Sequence, residues 1–209
     1  GTAKVEGRHK KQTGGRGQFG HVWLEISPNP GGGVEFETKV VGGVVPNQFF
    51  PGVEKGVRAV AEKGPTAGYP VIDFMAKLYD GSFHTVDSDE LSFRQAGSMA
   101  TRKGIAEANP ILLEPIMEVE VRVPERYMGE VNRDLNTRRG RLLGMDAQEG
   151  QQILSAHVPQ AELFTYATEL RSITGGRGTF TAKLAQYEEV PPHVAQKVID
   201  AHKAEEEEG

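Results

Sequence analysis

Cysteine is absent from the 209 residues. That excludes disulfides and thiolate metal sites and makes a cytoplasmic setting the expectation. No stretch reaches the roughly 18 apolar residues of a membrane-spanning helix. The opening Gly1-Thr2-Ala3-Lys4 is not followed by the apolar core of a signal peptide. A G-x-x-x-x-G-K-[ST] phosphate loop is missing, so GTP is not held here by that route. The six histidines (His9, His21, His84, His157, His193 and His202) show no H-E-x-x-H spacing. No catalytic or metal-ligating set emerges, and Asp87, Asp89 and Glu90 read as the acidic start of a helix.

What is present is ordinary in amount and uneven in placement. Hydrophobic residues make up 37% and charged residues 25%, normal for a globular chain of one or two domains. The net charge of −5 and pI of about 5.7 argue, taken alone, against nucleic acid. The distribution says more than the sum. Lys4, Arg8, Lys10, Lys11 and Arg16 lie near one end with a single acid, Glu6. The other end is acidic from Glu188 on and closes with Glu205–Glu208, which reads as a solubilising tail.

Apolar periodicity lays out the elements. Gln18–Ser27 and Val34–Val40 alternate with period two, as half-buried strands do. Val53, Val57, Val60 and Ala61 fall at helical spacing over Pro51–Lys63, with Pro51 in the first turn and Gly64 beyond the end. Val71–Tyr79 returns to strand. Asp87 with Glu90 forms a candidate capping box for a helix running to about Ala108, burying Phe93, Ala96, Ala100 and Ile105. Gly97 and Gly104 weaken that helix unless something packs closely on them.

Asn109-Pro110 and Glu114-Pro115 bracket a domain boundary. Beyond it come a strand (Ile116–Val123), a helix (Arg126–Arg138, with Met128, Val131 and Leu135 inward) and two strands (Arg141–Ala147 and Gln151–Val158) joined at Glu149-Gly150. A helix over Ala161–Arg171, with Phe164 and Thr168 on one stripe, and a strand over Gly178–Tyr187 complete the run. This β-α-β-β-α-β order is that of a ferredoxin-like domain. Pro191 opens a last amphipathic helix carrying Val194, Val198 and Ile199.

Three loops carry the functional argument. Gly15-Arg16-Gly17-Gln18-Phe19-Gly20 matches the dinucleotide pattern G-x-G-x-x-G, but a basic stretch precedes it and a strand follows, the wrong context for a pyrophosphate on a helix N-terminus. Its glycines allow close backbone approach. Arg16 can fork onto a phosphate, and Gln18 can meet a base or ribose edge. An ordinary glycine hairpin with a solvated arginine fits the same residues. In the second loop, Tyr79 to His84, Asp80-Gly81 signals a turn, with Ser82, Phe83 and His84 near its tip, where an aromatic stacks and an imidazole bonds to single-stranded RNA. In the third, Thr174 to Phe180, Gly176-Arg177-Gly178 nearly repeats Gly15-Arg16-Gly17; tight entry to a strand explains those glycines equally well.

Taken together these runs resemble the elongation factor G family. Arg8 to Trp23, with Gln12 to Val22 at its centre, looks like the first strand pair and loop of that factor's fourth domain, and Val41 to Pro46 with Val53 to Gly56 resembles its first helix and entry. Leu78 to Ser88 with Ala96 to Ala100 looks like its second loop and helix. Leu113 to Met117, Tyr127 to Gly129 and Asp134 to Gly140 are similar to its fifth domain.

The resemblance implies an α+β chain. Residues 1–112 would have the fold of ribosomal protein S5 domain 2, with a left-handed βαβ crossover. Residues 113–190 would be ferredoxin-like, and 191–209 a helix returning to the first domain with an acidic tail. It implies a monomer that binds the ribosome through 16S and 23S rRNA. Gly15, Arg16, Gly17 and Gln18, with Asp80, Gly81, Ser82, Phe83 and His84, would touch the tRNA–mRNA duplex in the decoding site. Gly176, Arg177 and Gly178 would face large-subunit rRNA. It implies no cofactor for this segment; GTP and Mg belong to the N-terminal domain of the whole factor, which nothing here matches.

Phe19 and Phe83 stand where the family usually has tyrosine, and the acidic tail is unusual. Both leave room for a paralogue, either one that recycles ribosomes or an elongation factor G-like protein of another duty. A free-standing RNA-binding module or a protein adaptor remains the competing class, separable by salt dependence, since phosphate contacts weaken steeply with salt.

Overall fold

In this computed structural model residues 1–12 and 14–208 are described. The alternating segments become strands β1 (Ala3–Lys11), β2 (Gln18–Pro28), β3 (Val34–Thr38) and β4 (Phe74–Ser82), and the helical stretches become α1 (Phe50–Glu62) and α2 (Glu90–Glu107). They form a mixed sheet in the order β1-β2-β4-β3, with only β3–β4 parallel and α1 in the crossover between them. One face of the sheet buries Val5, Val22, Leu24, Ala76 and Leu78 together with Val53, Val57 and Phe93 of the two helices. Each fully buried valine, leucine or phenylalanine among them contributes about 1.5–3 kcal/mol. Phe49 and Phe93 stack with ring centroids 4.6 Å apart.

Gly97 has its reason in this packing: a β-carbon there would lie 2.8 Å from the Val53 carbonyl of α1. The cost of glycine inside a helix is offset by the close approach it allows. Periodicity did not mark β1, because Ala3, Val5 and Gly7 give a weak apolar signal against the outward Lys4, Glu6 and Arg8; the resemblance to a strand pair around Arg8 did imply it.

The second unit comprises β5 (Leu113–Pro124), α3 (Met128–Thr137), β6 (Arg141–Gln148), β7 (Gln151–Pro159), α4 (Tyr166–Thr174) and β8 (Thr179–Glu189). Its antiparallel sheet, ordered β6-β7-β5-β8, is the ferredoxin-like arrangement. Val119, Val121, Val123, Leu154, Ala156 and Val158 meet Val131, Leu135, Tyr166 and Leu170. Phe164 is a correction: it is 86% exposed, and Thr168 is exposed too. A 3-10 turn occupies Gln160–Glu162 and α4 starts only at Tyr166, so Tyr166, Leu170 and Thr174 form the inward stripe.

The helix α5 (Pro192–Glu208) ends the described chain. From Gln196 on it clusters with residues 1–110, while Ile111–Ala195 forms the other compact unit. His202 is 11% exposed and its ring lies against Gly68. No helix among the described residues is long and apolar enough to cross a membrane.

Candidate nucleic-acid interface

The register of the first sheet brings two connections to one end. β1 and β2 pair out to Lys11–Gln18, so the chain between them turns there. Thr13 of that turn lies outside the described residues. β4 ends at Ser82 opposite His21, and the following segment, Phe83 to Asp89, crosses the same end before α2 begins.

Five hydrogen bonds join the two connections. The Phe19 N–H donates to the Asp87 carbonyl at 2.9 Å, and the Ser88 hydroxyl donates to the Phe19 carbonyl at 2.8 Å. The Gly17 N–H donates to Asp87 Oδ1 at 3.1 Å. Arg16 donates from Nε to the Val86 carbonyl at 2.9 Å and from Nη2 to the Ser88 carbonyl at 3.2 Å. Gly17 permits the approach, since a β-carbon there would stand 2.9 Å from Asp87 Oδ2 and 3.1 Å from the Lys11 carbonyl.

Further bonds orient the exposed groups. His84 Nδ1 accepts from the N–H groups of Val86 at 3.2 Å and Asp87 at 3.1 Å. Two donors on one nitrogen require its lone pair, so the neutral ring carries its proton on Nε2. The His84 side chain is 54% exposed. Phe19 lies beside it, centroids 6.4 Å apart, with the Arg8 guanidinium 5.7 Å from the Phe19 ring. Gln18 Oε1 lies 2.8 Å from His9 Nε2; with His9 donating, the amide NH2 of the half-buried Gln18 is not used in that bond.

Asp89 caps α2, accepting from the Ser92 N–H at 2.7 Å. Partial burial works against its ionisation, but hydrogen bonding from Ser92 and the positive field of Arg16 outweigh it, so its carboxyl sits below the ordinary aspartate range.

Several sequence expectations change here. Asp80, Gly81 and Ser82 are strand, not turn: they pair with Trp23, Val22 and His21. Pairing with β2 overrides the local Asp-Gly preference, and the turn moves to Thr85–Asp87. Ser82 Oγ is 2.7 Å from His21 Nδ1, and His21 Nε2 is 2.7 Å from Glu6. Arg16, expected to fork onto a phosphate, has two nitrogens committed to carbonyls of the neighbouring segment. The helix cap is Asp89, because the Asp87 carboxylate is taken by Gly17. Phe83 and His84 are exposed as expected. Val86, Asp87 and Ser88, named above only within the run that resembles the second loop, were not expected to hold the first loop, and nothing in the sequence signalled His9 as a partner of Gln18.

In the second unit, Gly176, Arg177 and Gly178 follow α4. Gly175 and Gly176 have φ of 58° and 81° and close the helix in left-handed conformation. The Gly176 N–H donates to the Arg171 carbonyl, and the Gly178 N–H to Thr174 Oγ1 at 2.8 Å. Arg177 is exposed.

Comparison with known proteins places both units. The family model described as elongation factor G, domain IV, matches residues 1–109, and that described as elongation factor G C-terminus matches residues 111–198. A crystal structure of a protein from Thermus thermophilus is similar, at 43% identity and a TM-score of 0.81. The match covers 97% of this chain and 30% of that one, so the chain spans under a third of that relative's length.

Proposed function

The chain belongs to the elongation factor G family, and from that premise we propose that the paired loops of its first unit enter the decoding site of the small ribosomal subunit while tRNA and mRNA advance. The observation that carries this reading is the five-bond latch between Arg16–Phe19 and Val86–Ser88. An element that must enter a crowded RNA site gains by being rigid beforehand, because ordering it on arrival subtracts from affinity. Gly15, Arg16 and Gly17 shape one finger; Asp80, Gly81 and Ser82 anchor the other in the sheet. Gln18 and His84 supply the hydrogen-bond donors, and Phe83 a stacking face. Such donors suit the acceptor-rich minor-groove edge and ribose hydroxyls of a short RNA duplex. In the second unit, Arg177 is the cation offered to large-subunit rRNA.

The test uses the complete factor carrying His84→Ala or Gln18→Ala. Loss of one base-directed contact costs about 1–3 kcal/mol, so single-round translocation should slow about fivefold or more. Wild-type rates in both variants would remove the tip from the reading.

A further inference from the structure

The helices α1 and α2 cover one face of the first sheet, and the opposite face carries a different set of side chains. On β1 these are Lys4, Arg8 and Lys10, which alternate with the buried Ala3, Val5 and Gly7. On β2 they are Phe19, His21 and Trp23, each half-buried and each set beside the β1 row by register: Lys10 beside Phe19, Arg8 beside His21, Glu6 beside Trp23. Tyr79 sits where the β2–β4 register shifts, with the Lys4 ammonium 5.7 Å over its ring.

The charges on this face are sorted. Glu6 is bound to His21, and Glu25 is held between Lys4 and Lys77. Further toward β3 the face turns acidic, with Asp80, Glu35 and Glu37. A polyanion is therefore drawn to the β1 margin and repelled from the β3 margin. From Lys4 to Lys10 the row runs about 20 Å at the strand rise of roughly 3.3 Å per residue, room for a few nucleotides.

We propose that this face binds single-stranded RNA, with bases stacked on Phe19 and Trp23 and phosphates following Lys10, Arg8 and Lys4. Single strands expose base faces that aromatic side chains can stack, whereas a duplex hides them and offers only its backbone. The surface meets the latch at Phe19, whose backbone makes two of the five bonds, and extends away from it along Arg8, Trp23 and Lys4, which take no part in them.

Trp23 is the single tryptophan of the chain and so reports directly on stacking. An eight-nucleotide single-stranded RNA of mixed sequence, titrated into the chain at low salt, should quench its fluorescence to saturation and raise the anisotropy of a labelled copy. The double variant Arg8→Gln/Lys10→Gln, altered only at side chains on the open face, should weaken both signals about tenfold. The same sequence as a duplex should leave the tryptophan unquenched. Binding without quenching, equal quenching by duplex, or affinity unchanged in the double variant would each overturn the proposal. Its failure would not touch the tip, which is read by translocation with His84→Ala.

Discussion

Two stretches of this chain spell nearly the same thing. Gly14-Gly15-Arg16-Gly17 ends in Gln18-Phe19, and Gly175-Gly176-Arg177-Gly178 ends in Thr179-Phe180. Their physics differs. In the first the arginine is structural, spanning two carbonyls of another segment, while Gly14 and Gly15 have ordinary backbone and open space around them. In the second the leading glycines are structural, ending α4 with positive φ, and the arginine is exposed. Matching letters take their roles from what lies across from them, and in the first unit that is the Val86–Ser88 turn.

The largest test of this contrast is at the arginines. Arg16→Ala removes two charge-assisted bonds and should lower first-unit stability by roughly 2 kcal/mol, read as an earlier urea transition of Trp23 fluorescence. Arg177→Ala should stay within about 0.5 kcal/mol. Equal effects would break the comparison. Next come the glycines, with the order reversed. Gly175→Ala forces a side chain into left-handed backbone and should cost about 1–1.5 kcal/mol, seen as faster amide exchange in α4 and β8. Gly15→Ala should be neutral or slightly stabilising.

The caps sharpen the contrast further. α2 starts on the Asp89 carboxylate, while α4 starts at Thr165 without a side-chain cap. A depressed carboxyl stabilises the fold above its unfolded value of 3.8 and stops doing so as pH falls through its lower folded value. Asp89→Ala should cost about 1 kcal/mol near neutrality, and the gap from the parent should close in acid, followed by Trp23 fluorescence across a pH series. The smallest effect belongs to Tyr166, whose buried hydroxyl has no hydrogen-bond partner among the described residues. Burial raises its pKa. Tyr166→Phe should shift stability by under about 0.5 kcal/mol, in the stabilising direction, measured by urea denaturation.

Much of the fold was legible. The alternation of Val22, Leu24 and Ile26 and the spacing of Val53, Val57 and Val60 are set by what must be buried, and burial follows period whatever the partner. The ferredoxin-like order was legible for the same reason. What escaped was decided between segments distant in sequence. Asp80-Gly81 turns in isolation and is strand beside Trp23 and Val22. Asp87 and Asp89 are equal candidates for a cap until Gly17 takes one of them. Phe164 was placed by its hydrophobicity, while the later start of α4 turned it out to solvent. At the tip, the exposure of Phe83 and His84 followed from their neighbours in sequence, and the latch around Arg16 did not.

The first unit takes its final helical segment, from Gln196 on, after the whole of Ile111–Ala195 has been made. At about 5–20 residues per second, the nascent chain waits on the order of ten seconds before His202 can reach Gly68. During that interval the first unit has its whole core and lacks only the outer cover that α5 adds. Synthesis of the first unit is therefore interrupted by that of the second, and its last contacts are the last to become possible.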